Sequence, residues 1–266
     1  MMFATDLDRT IIYSRKALED LGPSIDGQLR AVEKKEGKSI AFMTQKAFEE
    51  LEEISHDLLL VPVTTRTTNQ FKRIFIFEEH IPVKYAITFN GAEILYEGNP
   101  LPDWRAGISE RLKQESASIE ELKEILNRNI FQVKGELKSA DGLFLYYLLE
   151  EKLTAHQIQE FKRAASAYGW KVSYQGRKLY FMPNPISKGE AVSFVKEREG
   201  ISTLIGAGDS LLDEDLLVKC DHSFIPAHGE LANDNGLLSY IDTEQRGALA
   251  GEEILEKIRI IINGNV

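Results

Sequence analysis

The chain has 266 residues, of which 43% are hydrophobic and 28% charged, which suits one large domain or one domain with an insert. No stretch approaches the roughly 18 consecutive apolar residues of a membrane span, and the first residues lack the basic and apolar regions of a secretory signal. A net charge of −10 argues against non-specific nucleic-acid binding. The lone cysteine, Cys220, cannot form an internal disulfide and is expected to be a small core residue, which is compatible with a reducing compartment. We therefore expect a cytoplasmic protein without membrane or nucleic-acid partners.

Short apolar runs alternate with helix-like stretches along most of the chain, a pattern that predicts a parallel sheet with crossover helices. Strands are predicted over residues 2–8, 58–63, 85–89, 203–207 and 222–226. Thr44, and Thr67 or Thr68, are the predicted N-caps of two helices between these strands. The charged segment from about residue 15 to 40 is predicted to be a helix and a hairpin, whose role the sequence does not give.

The middle of the chain has a different sequence pattern. GLFLYYLLE, WKVSYQ and KLYFM are aromatic-rich strand candidates without regular alternation with helices. Ser118 would cap a helix over residues 119–129, and Thr154 would cap another between the strands. We therefore predict an inserted α+β module over residues 92–182.

Polar residues follow several of the predicted strands. Asp6, Asp8, Thr64 and Asp209 all fall at strand ends, and in open parallel sheets ligands bind at the carboxyl ends of the strands. If the first strand continued, Asp6 and Asp8 would point the same way, because side chains alternate between faces. The sequence thus predicts a cluster of carboxylates at one edge of the sheet.

These residue types fit phosphoryl transfer to a carboxylate, which needs a nucleophile, charge neutralisation and a proton donor. Asp6 would be the nucleophile, and Asp8 would protonate the leaving alcohol and then deprotonate water. Thr64 and Lys188 would supply a hydroxyl donor and a cation to the phosphoryl oxygens. Asp209, together with Asp6, would hold Mg²⁺, a hard cation that prefers oxygen ligands.

Lys188 is expected at a helix N-terminus, because Ser187 and Glu190 form the capping-box pattern S-x-x-E. Free backbone N–H groups at such an end favour an anion. Asp213 lies one helical turn beyond Asp209 and would be either a further carboxylate beside the metal or a partner for Lys188.

Each feature also has a simpler structural explanation when taken alone. An Asp-x-Asp pair is common at strand ends, Thr64 suits a strand end, and a lysine suits the first turn of a helix. Asn90 with Gly91 is most simply a turn, although Asn90 lies near the predicted site; Arg177 is either an anion contact or a surface residue. A catalytic site is favoured by the joint occurrence, in this order, of the Asp6–Asp8 pair, Thr64, Lys188 and the segment that holds Asp209 and Asp213.

The order of the motifs resembles the haloacid dehalogenase superfamily. The matching pieces are DLDRT (6–10), VTTRT (63–67), the lysine of NPISKGEAV (184–192) and GAGDSLLDED (206–215). The resemblance implies a Rossmann-like α/β core, an aspartyl-phosphate intermediate, Mg²⁺ dependence and a type II cap, placed as in the sucrose-phosphatase and Cof-like groups. The strings DLDRTIIYS, FMT and PVTTRT also resemble a branch linked to bacterial stress and tellurite-resistance gene clusters.

By this resemblance Asp6 is the nucleophile and Asp8 the acid/base, a residue that phosphatases and phosphomutases have and dehalogenase-type members lack. The implied metal ligands are Asp6, the main-chain oxygen of Asp8, and Asp209, while Thr64 and Lys188 contact the phosphate.

Three positions depart from the family pattern. Arg9 stands where glycine is common and would crowd the entrance or add a substrate contact. Thr65 stands where glycine often follows the motif threonine, and Leu212 where asparagine is frequent. None of them removes a group that the mechanism requires.

The predicted organisation is a catalytic core of residues 1–91 and 183–266 and a cap of residues 92–182. The favoured function is Mg²⁺-dependent hydrolysis of a small phosphorylated metabolite of the sugar-phosphate kind, with the cap closing over the substrate and selecting the leaving group. Two alternatives stay open: a phosphomutase, and a phosphate-binding regulatory module with little turnover. The sequence gives neither the substrate nor the oligomeric state.

Overall fold

The computed structural model describes residues 1–23, 25, 28–127, 133–233 and 240–264. Its internal contacts divide the chain into a core unit, Met1–Pro100 with Lys188–Val266, and a cap unit, Leu101–Ser187. The sequence-based boundaries differ from this division at residues 92–100 and 183–187.

The first part of the core unit alternates short strands and helices. The strands are β1 (Met2–Thr5), β2 (Tyr13–Ser14), β3 (Leu29–Lys35), β4 (Lys38–Thr44), β5 (Leu59–Pro62), β6 (Tyr85–Thr88), β7 (Glu93–Tyr96) and β8 (Asn99–Pro100). The helices are α1 (Arg15–Leu21), α2 (Gln45–Asp57), α3 (Thr68–Phe71) and α4 (Ile76–Glu79). The segment of unassigned role therefore contains helix α1 and the β3–β4 hairpin, as predicted.

The stretch after Thr67 is two short helices and not the single helix that was predicted. Phe71, Ile74, Ile76 and Phe77 are all buried, and one straight helix would spread these four residues over different sides. Breaking the helix lets all four pack into the core. Thr67 is the N-cap, and its side chain accepts a hydrogen bond from the backbone N–H of Gln70.

The cap unit combines helices with one antiparallel sheet. Its elements are α5 (Pro102–Glu115), α6 (Ile119–Asn127), β9 (Gly135–Ala140), β10 (Phe144–Leu149), α7 (Ala155–Ser166), β11 (Trp170–Gln175) and β12 (Lys178–Pro183). The strand order is β11-β12-β10-β9. Ser118 and Thr154 cap their helices as predicted, each accepting a backbone hydrogen bond at 3.2 Å. Residues 128 and 129 of the predicted helix lie outside the described residues.

The core unit resumes after the cap with α8 (Lys188–Arg198), β13 (Leu204–Ala207), α9 (Glu214–Leu217), β14 (His222–Ile225), β15 (Ile241–Asp242) and α10 (Ala248–Ile262). Five strands form a parallel sheet in the order β15-β14-β13-β1-β5. Strand β6 lies beside β5 through a single parallel bridge between Val63 and Ile87. The predicted α/β core with an inserted α+β cap is therefore confirmed.

Strand β1 lies at the centre of the parallel sheet, and all four of its residues are buried, as expected where helices cover both faces. Its last residue, Thr5, is paired with Ala207 of β13 on one side and with Pro62 of β5 on the other. The residues that follow these three strands are therefore neighbours at one edge of the sheet. No helix among the described residues is both long and apolar enough to span a membrane.

Substitution of two glycines in the cap unit would measure how closely the backbone at Gly169 packs against the end of α5. Gly169 and Gly142 have left-handed φ values of +76° and +74°. A Cβ on Gly169 would lie 1.9 Å from the carbonyl oxygen of Glu115, whereas one on Gly142 would meet nothing within 4 Å. We expect Gly142→Ala to lower the free energy of unfolding by about 1–2 kcal/mol, the cost of the left-handed conformation, and Gly169→Ala to lower it clearly more. Urea unfolding measures both, and equal losses would contradict the steric explanation.

Candidate active site

The centre of the site is a buried lysine held between two buried aspartates. Asp6 follows β1 directly, and its Oδ1 accepts a hydrogen bond from Nζ of Lys188 at 2.7 Å. Lys188 is the first residue of α8 and only 1% exposed. The same Nζ donates to Oδ1 of Asp213 at 2.5 Å. Burial alone would lower the pKa of Lys188, but the two carboxylates outweigh it and hold this pKa above its usual value, so the ammonium stays charged.

Asp213 also organises the loop after β13. Its Oδ2 accepts hydrogen bonds from the backbone N–H groups of Asp209 and Ser210, at 3.2 and 3.0 Å, and from the Ser210 hydroxyl at 2.8 Å. Both oxygens of Asp213 are thus engaged by Lys188 and the loop. Of its two predicted roles, this geometry matches the partner of Lys188. Leu212, where the family often has asparagine, is buried beside it.

The site carries more negative than positive charge in a buried place. Oxygens of Asp6, Asp209 and Asp213 all lie within 4.8 Å of one another. Burial raises the pKa of Asp6 to about 7 although Lys188 opposes the shift. Burial also raises the pKa of Asp209 well above its usual range, and the charges of Asp6 and Asp213 add to this. Buried carboxylate oxygens of this kind suit Mg²⁺, and Asp6 and Asp209 are the pair that would hold it.

Asp8 occupies different surroundings from Asp6. Strand β1 ends at Thr5, so the two aspartates do not continue one strand, and the expectation of a shared strand face does not apply. The side chain of Asp8 is 47% exposed and is bound by the guanidinium of Arg66. The Nε and Nη2 atoms of Arg66 donate to Oδ2 and Oδ1 of Asp8 at 2.6 and 2.7 Å. Arg66 lies within the VTTRT motif but was not among the residues predicted for the site.

Thr64 lies just beyond β5, next to the end of β1. Its backbone N–H donates to Ile87 at 2.8 Å, and its carbonyl oxygen accepts from Asn90 at 2.9 Å. Its hydroxyl oxygen accepts from the backbone N–H of Arg66 at 3.1 Å. Asn90 is left-handed, with φ of +59°, and its Oδ1 is buried without a hydrogen-bond partner among the described residues. The ends of β5 and β6 therefore bring Thr64 and Asn90 together.

Arg9 has a left-handed backbone, with φ of +68°, which explains why glycine suits this position. Its Nε lies 3.4 Å from Oδ2 of Asp209, and its side chain is 43% exposed. Its carbonyl oxygen is 2.8 Å from Nε2 of His228. Because Nδ1 of His228 accepts from the N–H of Gly247 at 3.0 Å, Nε2 carries the proton and donates to Arg9. The geometry shows a contact of Arg9 with a candidate metal ligand, while crowding of the entrance and a contact with substrate both stay predictions.

Two other residues considered from the sequence make hydrogen bonds within their own units. Arg177 donates from Nε to the carbonyl oxygen of Leu149 at 2.8 Å, within the cap unit. Burial raises the pKa of the Cys220 thiol to about 12, and its Sγ donates to the carbonyl oxygen of Leu216 at 3.3 Å. Cys220 is therefore a packed thiol and not a nucleophile.

Comparison with known proteins identifies the family to which the chain belongs. The family model for sucrose-6F-phosphate phosphohydrolase matches residues 1–228. The chain therefore belongs to this family of phosphatases, and the resemblance to the haloacid dehalogenase superfamily is confirmed. None of the curated proteins matches the sequence.

Solved structures share the fold at low sequence identity. The sucrose-phosphatase of Synechocystis sp. PCC6803, solved with sucrose and phosphate, has a TM-score of 0.72 and 17% identity over 99% of this chain and 98% of its own. The haloacid dehalogenase-like hydrolase yhjK of Bacillus subtilis has a TM-score of 0.54 and 18% identity over 97% and 91%. The phosphatase BT1666 of Bacteroides thetaiotaomicron has 0.55 and 12% over 98% and 95%. These similarities show the fold.

The buried His228 predicts a pH dependence of stability. Burial lowers its pKa, and the charges of Arg9 and Arg246 act in the same direction. The folded state therefore binds fewer protons than the unfolded state, whose histidine pKa is about 6.5. The stability contributed by neutral His228 is fully present above that pH and is lost as the pH falls below it.

We expect His228→Gln to flatten the fall in unfolding free energy between pH 7 and pH 5. Urea unfolding at the two pH values measures it, with His56→Gln, on the exposed face of α2, as the control for loss of a histidine. If the unfolding free energy of His228→Gln fell as steeply as that of the wild type, His228 would not be the source of the pH dependence.

Proposed function

We propose that this chain is a Mg²⁺-dependent phosphatase that hydrolyses small sugar-phosphate-like monoesters through an aspartyl-phosphate on Asp6. The observation that carries the proposal is the position of Asp6, buried at the end of the central strand and bonded to Lys188. Membership of the sucrose-6F-phosphate phosphohydrolase family supports the substrate class.

In the first step the carboxylate of Asp6 attacks phosphorus and the leaving alcohol departs. The Lys188 ammonium favours the ionised form of Asp6 and offsets the charge of the arriving phosphoryl oxygens. The Thr64 hydroxyl accepts from Arg66 and has no acceptor for its own proton among the described residues, so it is available to donate to a phosphoryl oxygen.

Asp8 would act as the general acid and then as the general base. Its half-exposed carboxyl, when protonated, gives its proton to the leaving oxygen, and the resulting carboxylate then takes a proton from the water that cleaves the acyl-phosphate. Asp8 thus returns to its starting state after each turnover. The proposed mechanism thus combines a buried nucleophile bound to lysine, Asp6, with an acid/base that solvent can reach, Asp8.

Asp6, Asp209 and the main-chain oxygen of Asp8 would hold Mg²⁺, as the family resemblance implies. When bound, the metal would offset the repulsion between the anionic nucleophile and the phosphate. The cluster of buried carboxylate oxygens supports this assignment, because it has one lysine for three aspartates.

The experiment that tests the proposed function is phosphate release from a panel of phosphorylated sugars, including sucrose-6F-phosphate, with Mg²⁺ and with EDTA. We expect phosphate release in the assays with Mg²⁺ and none in those with EDTA. The rate of release should fall by about 10³-fold or more in Asp6→Asn, as for other removed nucleophiles. Asp57→Asn, at the end of α2, is the control. Wild-type turnover in Asp6→Asn would contradict the assignment of the nucleophile. Isomerisation of a sugar phosphate that a sugar bisphosphate stimulates, without release of phosphate, would instead indicate a phosphomutase.

The metal assignment predicts a separate effect on stability. With EDTA, Asp209→Asn should raise the melting temperature, because it removes one of three carboxylates that repel one another in a buried site. Adding Mg²⁺ should stabilise the wild type and Asp57→Asn but leave Asp209→Asn nearly unchanged. Thermal unfolding at several Mg²⁺ concentrations measures this. An undiminished response to Mg²⁺ in Asp209→Asn would remove it from the ligand set.

A further inference from the structure

The planar guanidinium of Arg66 binds both carboxylate oxygens of Asp8, and we call this two-point contact the fork. Two parallel hydrogen bonds of 2.6 and 2.7 Å join its Nε and Nη2 to the two carboxylate oxygens. Such a pair fixes the plane and direction of the carboxylate as well as its distance. Without it, the half-exposed side chain of Asp8 would be free to change rotamer.

Arg66 is itself held from the other side by a residue of the β3–β4 hairpin. Its Nη1 lies 2.9 Å from Oε2 of Glu33, whose side chain is 2% exposed. The second oxygen of Glu33 accepts from Nε of Arg73 at 3.0 Å. A buried carboxylate is costly unless it is paired, and here two guanidinium groups pair with it. Glu33 therefore fixes the guanidinium that fixes Asp8.

A β-bulge accounts for the burial of Glu33. Consecutive strand residues normally point to opposite faces, yet Val32 and Glu33 are both buried. The pairing of β3 with β4 shifts register between Ala31 and Glu33 and again between Glu33 and Lys34, and such bulges re-aim side chains. The backbone also ties the hairpin to this region, since the N–H of Lys34 donates to the carbonyl oxygen of Arg73 at 3.2 Å.

We propose that Arg66 is a positioning residue that acts through Asp8, and that the hairpin takes part in catalysis by holding Arg66 through Glu33. The inference rests on the proposed function, in which Asp8 transfers protons. Proton transfer from the attacking water needs a base held within hydrogen-bond reach, and the fork supplies that constraint to the ionised form of Asp8. The segment between β2 and α2 thereby acquires a role in catalysis.

The test is a double-mutant cycle on kcat and KM with Mg²⁺ and the best sugar phosphate of the panel. We expect Arg66→Met to lower kcat by about 10- to 100-fold, the scale of a misplaced catalytic group, with a smaller change in KM. In the Asp8→Asn background the same change should cost less than about 3-fold, because residues that act as a unit are not additive.

Two conservative variants and one control complete the set. Arg66→Lys keeps the charge but loses the fork, so we expect it to recover little of the lost kcat. Glu33→Gln should lower kcat by a smaller factor than Arg66→Met, and likewise only when Asp8 is present. Arg259→Met removes a different arginine of the core unit, which pairs with Glu50, and should leave kcat unchanged.

The outcomes separate this inference from the proposed function. An equal loss from Arg66→Met with Asp8 or Asn at position 8 would overturn the inference, as would a raised KM with unchanged kcat, which indicates a direct substrate contact. If Arg66→Met does not fold, the Glu33→Gln and Arg66→Lys cycles decide by the same criterion. No phosphate release by the folded wild type would instead overturn the proposed function, and the inference with it.

Discussion

The interaction on which this site depends is the burial of the Lys188 ammonium between Asp6 and Asp213. These three residues are far apart in the chain, and they meet because β1, α8 and the loop after β13 converge at one edge of the sheet. Removing one partner from a buried ion pair costs about 3–5 kcal/mol, since a charge is left uncompensated. The same contacts therefore hold the ends of the core elements together and set the charge of the candidate nucleophile.

A second set of ion pairs gives Asp8 surroundings unlike those of Asp6. Asp6 is buried against lysine, whereas Asp8 is half exposed and bound by Arg66, which Glu33 holds in turn. Two carboxyl groups that sit close in sequence but in different environments are the usual arrangement where one enzyme needs both a nucleophile and an acid/base. In the mechanism that we propose, the hairpin that supplies Glu33 thus takes part in the chemistry as well as in the fold.

Periodicity and motif order predicted most of the core from the sequence. The strand positions, the helix and hairpin after residue 15, and the caps at Thr44 and Thr154 follow from local patterns. The order of the motifs placed Asp6 and Lys188 in one predicted site, and the contact of Lys188 with Asp213 was one of two roles predicted for that aspartate. The link from Asp8 to Arg66 and Glu33 was not predicted, because it depends on a bulge that no local pattern reveals. The end of β1 at Thr5 was also missed, since the predicted strand extended through Asp8.

Trapping the intermediate would show whether Asp6 carries the phosphoryl group. Asp8→Asn enzyme is mixed with the sugar phosphate that the wild type hydrolyses best, quenched in acid and digested, and its peptides are weighed by mass spectrometry. We expect phosphate on the peptide that contains Asp6 and none when Asp6→Asn is added to the same enzyme. Phosphate on another residue, or hydrolysis with no phosphorylated peptide in Asp8→Asn, would contradict this expectation.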